Sequence, residues 1–265
     1  MLSIIATPIG NLADISPRAL QALREADVLA CEDTRRTRIL LEHYSLPRPP
    51  LVVSYREGIE ESAGQRLVAL LEEGKRVALC TDGGCPGISD PGYRLVRLAA
   101  ERHIPLEVIP GASAVFVALV ASGLPTSSFT FKGYPPRKGG PLHRFFEEEK
   151  DRPHTLVVFE SPMRVGRTLR AAHEALGDRE AAVCVELTKK FERTARGFLG
   201  ELAAQFADQA VRGEVTLVIA GNNPKFARSP EAGGSETPGV GFQVSGEVVD
   251  SKTKTPVLKP EKPGL

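Results

Sequence analysis

Through its first 121 residues the chain alternates short apolar runs with longer runs in which apolar positions recur every three or four residues. The short runs are typical of buried β-strands, and the longer runs predict amphipathic helices. Strands are expected at residues 3–6, 28–31, 51–54, 76–81 and 106–109. Helices are expected after Ser16, over residues 37–44, 62–73 and 93–101, and over a run that ends near residue 121. Repeated strand–helix units favour an α/β fold with a mostly parallel sheet.

The pattern changes after a Gly/Pro-containing linker at residues 122–126. Strands are expected at 128–134, 155–160, 181–187, 191–197 and 214–220, and helices over runs that end at 150, 176 and 211. Two of these strands have no helix between them, so a mixed sheet is expected. The sequence therefore predicts an N-terminal α/β domain at 1–121 and a C-terminal α/β domain at 122–221. Residues 222–265 lack apolar periodicity and are expected to form a disordered tail.

Composition narrows the classes of function. The 265 residues are 42% hydrophobic and 25% charged, which is typical of a soluble globular protein, and the net charge of +1 does not by itself indicate a nucleic-acid partner. The four cysteines include no Cys-x-x-Cys pair, so we expect no metal site and a reduced, cytoplasmic setting. There is no signal-peptide pattern and no apolar run near the roughly 18 residues of a membrane span, so no membrane partner is expected.

Three loops that follow predicted strands, at residues 7–12, 81–92 and 110–114, are rich in Gly, Pro and Ser. The carboxyl ends of parallel strands meet at one edge of a sheet, where α/β proteins bind ligands. The longest loop adds Asp82 and Asp90 as hydrogen-bond acceptors. Neither a P-loop nor a Gly-x-Gly-x-x-Gly pattern is present, so the loops favour a ligand with both a carboxylate and a nucleoside. The alternative is that they are ordinary connections.

Acidic and basic residues at predicted strand ends are candidates for proton transfer. Glu160 and Glu186 could be catalytic acids or bases, or they could pair with nearby arginines. The candidates for the proton acceptor are Glu32, Asp33, Glu186 and Lys189; none is preferred, and each could instead have a structural or RNA-positioning role. The five histidines show no metal-ligand spacing.

Basic residues are grouped although the total charge is small. A charge run is usually a solvated face, but several of these groups lie beside strand-end loops and favour a phosphate-bearing partner such as RNA. The RNA-binding candidates are Arg35, Arg36, Arg137, Lys138, Arg164 and Lys189.

Several collinear segments resemble motifs of the tetrapyrrole methylase superfamily, and in particular of its branch that methylates ribosomal RNA. These segments are Ala-Thr-Pro-Ile-Gly-Asn-Leu at 6–12, Ala-Cys-Glu-Asp-Thr-Arg at 30–35, Pro-Gly-Ile-Ser-Asp-Pro-Gly-Tyr at 86–93, Ser-Gly-Leu-Pro-Thr at 122–126, Glu-Ser-Pro at 160–162 and Glu-Leu-Thr-Lys at 186–189. The resemblance covers roughly residues 1–221.

The resemblance implies a two-domain tetrapyrrole-methylase-like fold with S-adenosylmethionine bound between the domains. It also implies a homodimer, and methyl transfer to the ribose 2′-hydroxyl of a cytidine in the decoding region of 16S rRNA in the small ribosomal subunit. Carried over by motif, the cofactor site would comprise Asp82, Gly83, Pro86, Gly87, Ile88, Pro110, Gly111, Ser113, Ala114, Glu160, Ser161 and Leu187.

The chain departs from the family pattern at a few positions. Gly83 and Cys85 stand where Ala and Thr are common, and Met163 stands where His is common. Loss of the Thr hydroxyl could remove one hydrogen bond to the cofactor. Two other functions stay open at this point: a methyltransferase for a small tetrapyrrole precursor, and an RNA-binding factor without catalysis on the same fold.

Overall fold

The computed structural model describes residues 1–207 and 211–226. Five strands build the first sheet: β1 (Leu2–Ile5), β2 (Val28–Cys31), β3 (Leu51–Ser54), β4 (Val77–Cys80) and β5 (Leu106–Ile109). They pair in parallel, in the order β3-β2-β4-β1-β5. Strands β1, β2 and β4 are buried along their whole length, as expected of a parallel sheet covered on both faces. The predicted parallel sheet is confirmed.

The helices of this half are α1 (Pro17–Glu25), α2 (Thr34–His43), α3 (Glu60–Glu72), α4 (Tyr93–Glu101) and α5 (Ala114–Ser122). The Ser16 hydroxyl accepts the Ala19 amide over 3.1 Å, so α1 begins at Pro17 as predicted. Helix α2 begins at Thr34 and not at residue 37, because Asp33 caps it by accepting the Arg35 amide over 2.8 Å. A short 3-10 helix at Leu12–Asp14 was not expected.

The second sheet contains β6 (Phe129–Phe131), β7 (Thr155–Glu160), β8 (Glu180–Val185), β9 (Arg193–Phe198) and β10 (Val215–Ile219), in the order β6-β7-β10-β8-β9. Strands β6 and β7 are parallel, and the other pairs are antiparallel. The expected mixed sheet is confirmed. Its helices are α6 (Gly139–Glu147), α7 (Val165–Leu176) and α8 (Leu199–Gln205).

Helix α8 is shorter than predicted. It was expected to run to residue 211 but ends at Gln205, and Phe206 turns into the core at 3% exposure. The Phe206 carbonyl lies against Gly166 of α7, where an added Cβ would be only 2.3 Å away. This close crossing of α7 and α8 needs a glycine.

Each sheet has apolar clusters on both faces. Helix α5 packs on the second sheet: Ala118 and Leu119 share a buried cluster with Val157 and Val218. The domain boundaries expected at 121 and 221 stay predictions. Of the predicted tail, residues 227–265 lie outside the described residues. Within the described part of the chain, every helix is too short or too polar to cross a membrane.

Candidate functional site

The loops after β1, β4 and β5 lie together at one edge of the first sheet. The Thr7 amide donates to the Gly84 carbonyl over 2.9 Å, and the Gly84 amide donates to the Thr7 carbonyl over 3.0 Å. A Cβ added at Gly111 would lie 3.0 Å from both Cβ and O of Ala6. Only a glycine lets the loop after β5 come this close to the end of β1. The three Gly/Pro-rich loops are therefore gathered at the carboxyl ends of the strands, as predicted.

The long loop after β4 has a fixed shape. The Gly87 amide donates to the Pro91 carbonyl over 3.2 Å, and the Gly92 amide donates to Oε1 of Glu60 over 3.2 Å. Gly87 has a φ of 86°, and a Cβ at Gly92 would lie 2.7 Å from the Gly87 nitrogen. The glycines are thus required by backbone conformation and close approach. A loop held this way does not have to be ordered before it binds a ligand.

Two aspartates join the loop after β2 to the loop after β4. The Asp33 amide donates to Oδ1 of Asp82 over 3.1 Å, and Oδ2 of Asp82 lies 3.5 Å from Nε of Arg36. Asp33 in turn accepts from the Arg35 side chain and amide, and these hydrogen bonds lower the pKa of Asp33 to about 2. Asp33 is a helix cap that stays ionised, which makes it a weak proton acceptor.

Asp90 lies among other carboxylates. Burial, followed by the charges of Glu32, Asp82 and Glu214, raises the pKa of Asp90 to about 7. Burial and the Asp82 charge also raise the pKa of Glu32. Among the described residues none donates a hydrogen bond or an ion pair to the Asp90 carboxylate. A half-buried carboxyl group that titrates near neutral pH is suited to accept or donate a proton.

Glu160 is held inside the second half of the chain. It is 3% exposed; one carboxylate oxygen lies 3.2 Å from Nη2 of Arg164, and the hydroxyl of Thr168 also donates to it. The amide of Ser161 donates to the other oxygen over 2.6 Å. Arg164 donates further to the carbonyls of Pro135 and Pro136. Glu160 is therefore paired with an arginine, which was the alternative to a catalytic role. Arg164 is in turn occupied by Glu160 and by the two proline carbonyls.

Glu186 and Lys189 form a second ion pair, with lysine in place of the expected arginine. Oε1 of Glu186 accepts from Lys189 Nζ over 2.8 Å and from the Glu214 amide over 2.9 Å, and Lys189 Nζ lies 3.1 Å from Glu214 Oε2. The bond from Lys189 lowers the pKa of Glu186. Burial disfavours the charged form of Lys189, but the hydrogen bonds to Glu186 and Glu214 have the larger combined effect and raise the pKa of Lys189. Both groups stay charged near neutral pH.

The two halves of the chain meet beside these residues. A Cβ at Gly10 would lie 2.3 Å from Cγ of Lys189 and 3.1 Å from the Leu187 carbonyl, and one at Gly133 would lie 3.3 Å from Oγ of Ser89. Leu187 also belongs to the buried cluster that Ala114 packs against. The structure thus brings Ala114, one of the cofactor candidates of the first half, into the same cluster as Leu187 of the second half. Glu186 and Thr188 have φ values of 54° and 65°, an uncommon backbone conformation that is frequent at functional sites.

The predicted RNA-binding cations differ in how they are held. Arg35 is paired with Asp33 but is 85% exposed, and surface pairs of this kind contribute little, so it is free to exchange partners. Arg137 and Lys138 precede α6, beside a cavity of about 360 Å³ whose lining includes Gly139, Gly140, His143, Arg167 and Arg170. These positions form a basic surface at the start of α6.

A second cavity, of about 180 Å³, lies between α2 and the ends of β1 and β4. Thr81, Asp82 and Arg36 line it. The sequence patterns placed Thr7 and Thr81 in two of the Gly/Pro-rich loops but gave their side chains no role. They singled out Asp90 only as an acceptor, because its crowding comes from carboxylates far away in the sequence.

A sequence model of the family described as Tetrapyrrole (Corrin/Porphyrin) Methylases matches residues 1–203. The chain belongs to the tetrapyrrole methylase family. Members of this family depend on S-adenosylmethionine, so the expected cofactor and the expected fold are both confirmed.

Curated members of the tetrapyrrole methylase family are similar over most of their length. A protein from Halalkalibacterium halodurans named ribosomal RNA small subunit methyltransferase I is 44% identical, over 84% of this chain and 77% of the relative. A protein of the same name from Thermotoga maritima is 41% identical, over 83% of this chain and 98% of the relative. The recognised resemblance to the rRNA-methylating branch is confirmed by these relatives.

Solved structures of this family share the fold. A diphthine synthase aligns with a TM-score of 0.64 at 19% identity, over 83% of this chain and 89% of that chain. A uroporphyrin-III C-methyltransferase from Thermus thermophilus, complexed with S-adenosylhomocysteine, aligns with a TM-score of 0.56 at 22% identity, over 83% of this chain and 96% of that chain. At these identities the likeness concerns the fold alone.

Proposed function

We propose that this chain transfers a methyl group from S-adenosylmethionine to the ribose 2′-hydroxyl of a cytidine in the decoding region of 16S rRNA. The observation that carries the proposal is the 41–46% identity to several proteins named ribosomal RNA small subunit methyltransferase I. The substrate is then the small ribosomal subunit, and a cytoplasmic location follows from that substrate.

The gathered loops fit the cofactor. Gly83 and Gly111 let their loops pack against the end of β1 and the residues after it, where an added Cβ would lie 3.2 Å from the Pro8 carbonyl oxygen and 3.0 Å from that of Ala6. Gly87 has a φ of 86°. The loops therefore have a fixed shape before the cofactor binds. The carboxylate of Asp90, which lies near the charges of Glu32, Asp82 and Glu214, suits a ligand with positive charge. The cofactor residues carried over by motif, from the loops that begin at Asp82 and Pro110 and from the second half, are the groups that would hold it. When bound, S-adenosylmethionine supplies an electrophilic methyl group.

The chain itself must accept the proton of the attacking hydroxyl. Asp90 is suited to this task because its carboxylate has no cationic partner among the described residues and its pKa of about 7 lies near working pH. Asp33, Glu186 and Lys189 are held in their charged forms by their partners, which makes them poorer acceptors. Glu32, whose pKa is raised by burial and by the charge of Asp82, stays a candidate.

The RNA would be held by the exposed cations Arg35, Arg36, Arg137 and Lys138, which contact phosphates and position the strand without reading its sequence. Lys189, which is paired with Glu186 and Glu214 and lies against Gly10 of the loop after β1, would orient the substrate beside that loop.

The test uses small subunits from cells that lack this gene. The purified chain is incubated with these subunits and labelled S-adenosylmethionine, and the modified nucleotide is mapped by mass spectrometry. We expect one methylated ribose in the decoding region and no transfer to uroporphyrinogen. Transfer to uroporphyrinogen alone would assign the chain to tetrapyrrole methylation. Subunit binding without any transfer would assign it to a non-catalytic factor.

The homodimer also belongs to this proposal. Strand β5 is an edge strand with Val108 54% exposed, and Phe116 and Val120 on α5 are 59% and 73% exposed. Exposed apolar side chains on an edge strand and a neighbouring helix suit contact with a second copy. Analytical ultracentrifugation should show a dimer for the parent and weaker dimerisation for Val120→Glu. A monomeric parent would exclude the proposed homodimer.

A further inference from the structure

The segment at residues 133–138 runs from the loop that carries Asp90 to the basic surface at the start of α6. Its first residue, Gly133, lies against that loop, because a Cβ added there would be 3.3 Å from Oγ of Ser89. Its last two residues, Arg137 and Lys138, directly precede α6. The segment therefore joins the loop of the proposed proton acceptor to the cations proposed to hold RNA phosphates.

The middle of this segment is fixed in place. Proline restricts φ to about −65°, so Pro135 and Pro136 leave the chain little conformational freedom. Nη2 of Arg164 donates to both proline carbonyls over 3.0 Å, and the buried carboxylate of Glu160 holds Arg164. What stands at one end of the segment is therefore held at a constant distance from what stands at the other.

Tyr134 presents an aromatic ring near Asp90. The residue is 61% exposed, and its ring contacts that of Phe159, with the ring centroids 5.6 Å apart. Partial burial, followed by the charges of Glu214, Asp90 and Glu160, raises the pKa of Tyr134. The hydroxyl therefore stays protonated near neutral pH, and the ring is an uncharged, accessible surface close to these carboxylates.

A single exposed aromatic side chain is ordinary on a protein surface, but the setting of Tyr134 is not. Among the described residues neither Arg137 nor Lys138 pairs with a carboxylate, so both are available to phosphates. Three residues of chain span at most about 11 Å, so Tyr134 lies within reach of the same RNA strand as Arg137. Proteins bind unstacked RNA bases with this combination, in which cations hold the backbone and an aromatic ring holds the base.

We propose that the ring of Tyr134 stacks against the base of the target nucleotide, while Arg137 and Lys138 hold phosphates of the same strand. The proposal rests on the function proposed above and names the residue that orients the reacting nucleotide. The stacked base fixes the direction in which its ribose points, and the 2′-hydroxyl then faces Asp90. Every base has a face that can stack, so Tyr134 positions the nucleotide without selecting its identity.

The adenine of S-adenosylmethionine also has a face that could stack on Tyr134, so the experiment has a cofactor arm and an RNA arm. Calorimetry with S-adenosylhomocysteine measures the first, and kcat/KM for small subunits from cells that lack this gene measures the second. Tyr134→Phe keeps the ring, and Tyr134→Leu keeps an apolar side chain without an aromatic face. Phe226→Leu is the matched control, because Phe226 is 42% exposed and lies beside a lysine but is outside this segment.

We expect kcat/KM to fall about ten- to hundredfold for Tyr134→Leu, since the stack is lost, and to change less than about twofold for Tyr134→Phe. Phe226→Leu should match the parent. The dissociation constant for S-adenosylhomocysteine should change less than about twofold in all three variants.

An abasic substrate separates stacking from a general structural effect. Small subunits are reconstituted with 16S rRNA that keeps the target ribose but lacks its base, and filter binding gives their dissociation constants. Tyr134→Leu should bind intact subunits at least about fivefold more weakly than the parent does, and abasic subunits equally well. Arg137→Ala should weaken binding to both kinds of subunit by the same factor, because a phosphate contact does not depend on the base.

A loss of S-adenosylhomocysteine affinity in Tyr134→Leu would assign the ring to the cofactor and overturn the proposal. A binding defect of Tyr134→Leu that persists on abasic subunits would overturn it as well. An active parent that Tyr134→Leu equals would overturn it while leaving the proposed function intact. A parent that neither binds S-adenosylmethionine nor methylates subunits would overturn the proposed function, and this assignment with it.

Discussion

Oδ1 of Asp82 accepts the Asp33 amide over 3.1 Å, so one side chain joins the loop after β4 to the start of α2. A hydrogen bond to a charged group contributes about 1.5–3 kcal/mol when its partner has no replacement. Asp82→Ala is expected to lower the free energy of unfolding by about 1.5 kcal/mol, and Asp82→Asn by less, because the amide oxygen still accepts. Urea unfolding of the three proteins checks this; equal stability of the Ala and Asn variants would contradict it.

Asp90 should make the stability of the protein depend on pH. The unfolded carboxyl group loses its proton near pH 3.8, but the folded protein keeps it until about pH 7. Folding therefore takes up a proton between these values, and stability falls as the pH rises through them. Asp90→Asn should be more stable than the parent at pH 8 by at least about 1 kcal/mol, since one pKa unit corresponds to about 1.4 kcal/mol. The difference in the free energy of unfolding between Asp90→Asn and the parent should shrink towards pH 4.

Urea unfolding of the parent and of Asp90→Asn at pH 4.5, 6 and 8 provides the measurement. Asp151→Asn is the matched control, because this aspartate is exposed and is not among the charges that raise the pKa of Asp90. A stability difference that does not change with pH would show that Asp90 titrates normally.

Gly87→Val should abolish cofactor binding. Gly87 has a φ of 86°, which a β-branched residue does not tolerate, so the long loop after β4 would be displaced. Gly74→Val is the control: Gly74 has a φ of 84° with open space around it, in the turn between α3 and β4. Calorimetry with S-adenosylhomocysteine should show loss of binding only for Gly87→Val. Equal affinities in both variants would remove the long loop from the cofactor site.

Arg137→Ala and Lys138→Ala should weaken subunit binding and reduce its dependence on salt, because each phosphate contact contributes to the salt slope. Arg164→Ala should instead destabilise the fold, because Arg164 neutralises the buried Glu160 and bonds two carbonyls. Filter binding across a salt series and thermal unfolding separate the two effects. An unchanged salt slope in the first two variants would remove the start of α6 from the RNA surface.

Gly166→Ala should destabilise the second half of the chain by about 1–3 kcal/mol, because its Cβ would meet the Phe206 carbonyl at 2.3 Å. Gly140→Ala, also in a helix but with nothing within 4 Å, should be neutral or slightly stabilising. Thermal unfolding of both variants checks the prediction, and a stable Gly166→Ala would mean that α7 and α8 move apart easily.

The sequence was sufficient to predict what depends on neighbours along the chain. Alternation of apolar runs predicted both sheets, and Ser16 with Pro17 predicted the start of α1. The start of α2 is an exception: it was placed too late although its signal is local, since Asp33 caps the helix by accepting the amide of Arg35 two residues further on. The contact between Gly10 and Lys189 and the crowding around Asp90 arise from residues far apart in the sequence, so no local pattern could reveal them.

Strand β1 lies between β4 and β5, so Leu2 pairs with both Val77 and Leu106. The first strand to leave the ribosome therefore waits for partners made roughly 5–20 s later at ordinary rates of synthesis. Until then an apolar segment stays unpaired, and such segments are prone to aggregate or to be bound by chaperones. The bridge between Thr7 and Gly84 forms only after β4 arrives, so the cofactor cannot stabilise the nascent chain before its first sheet is nearly complete.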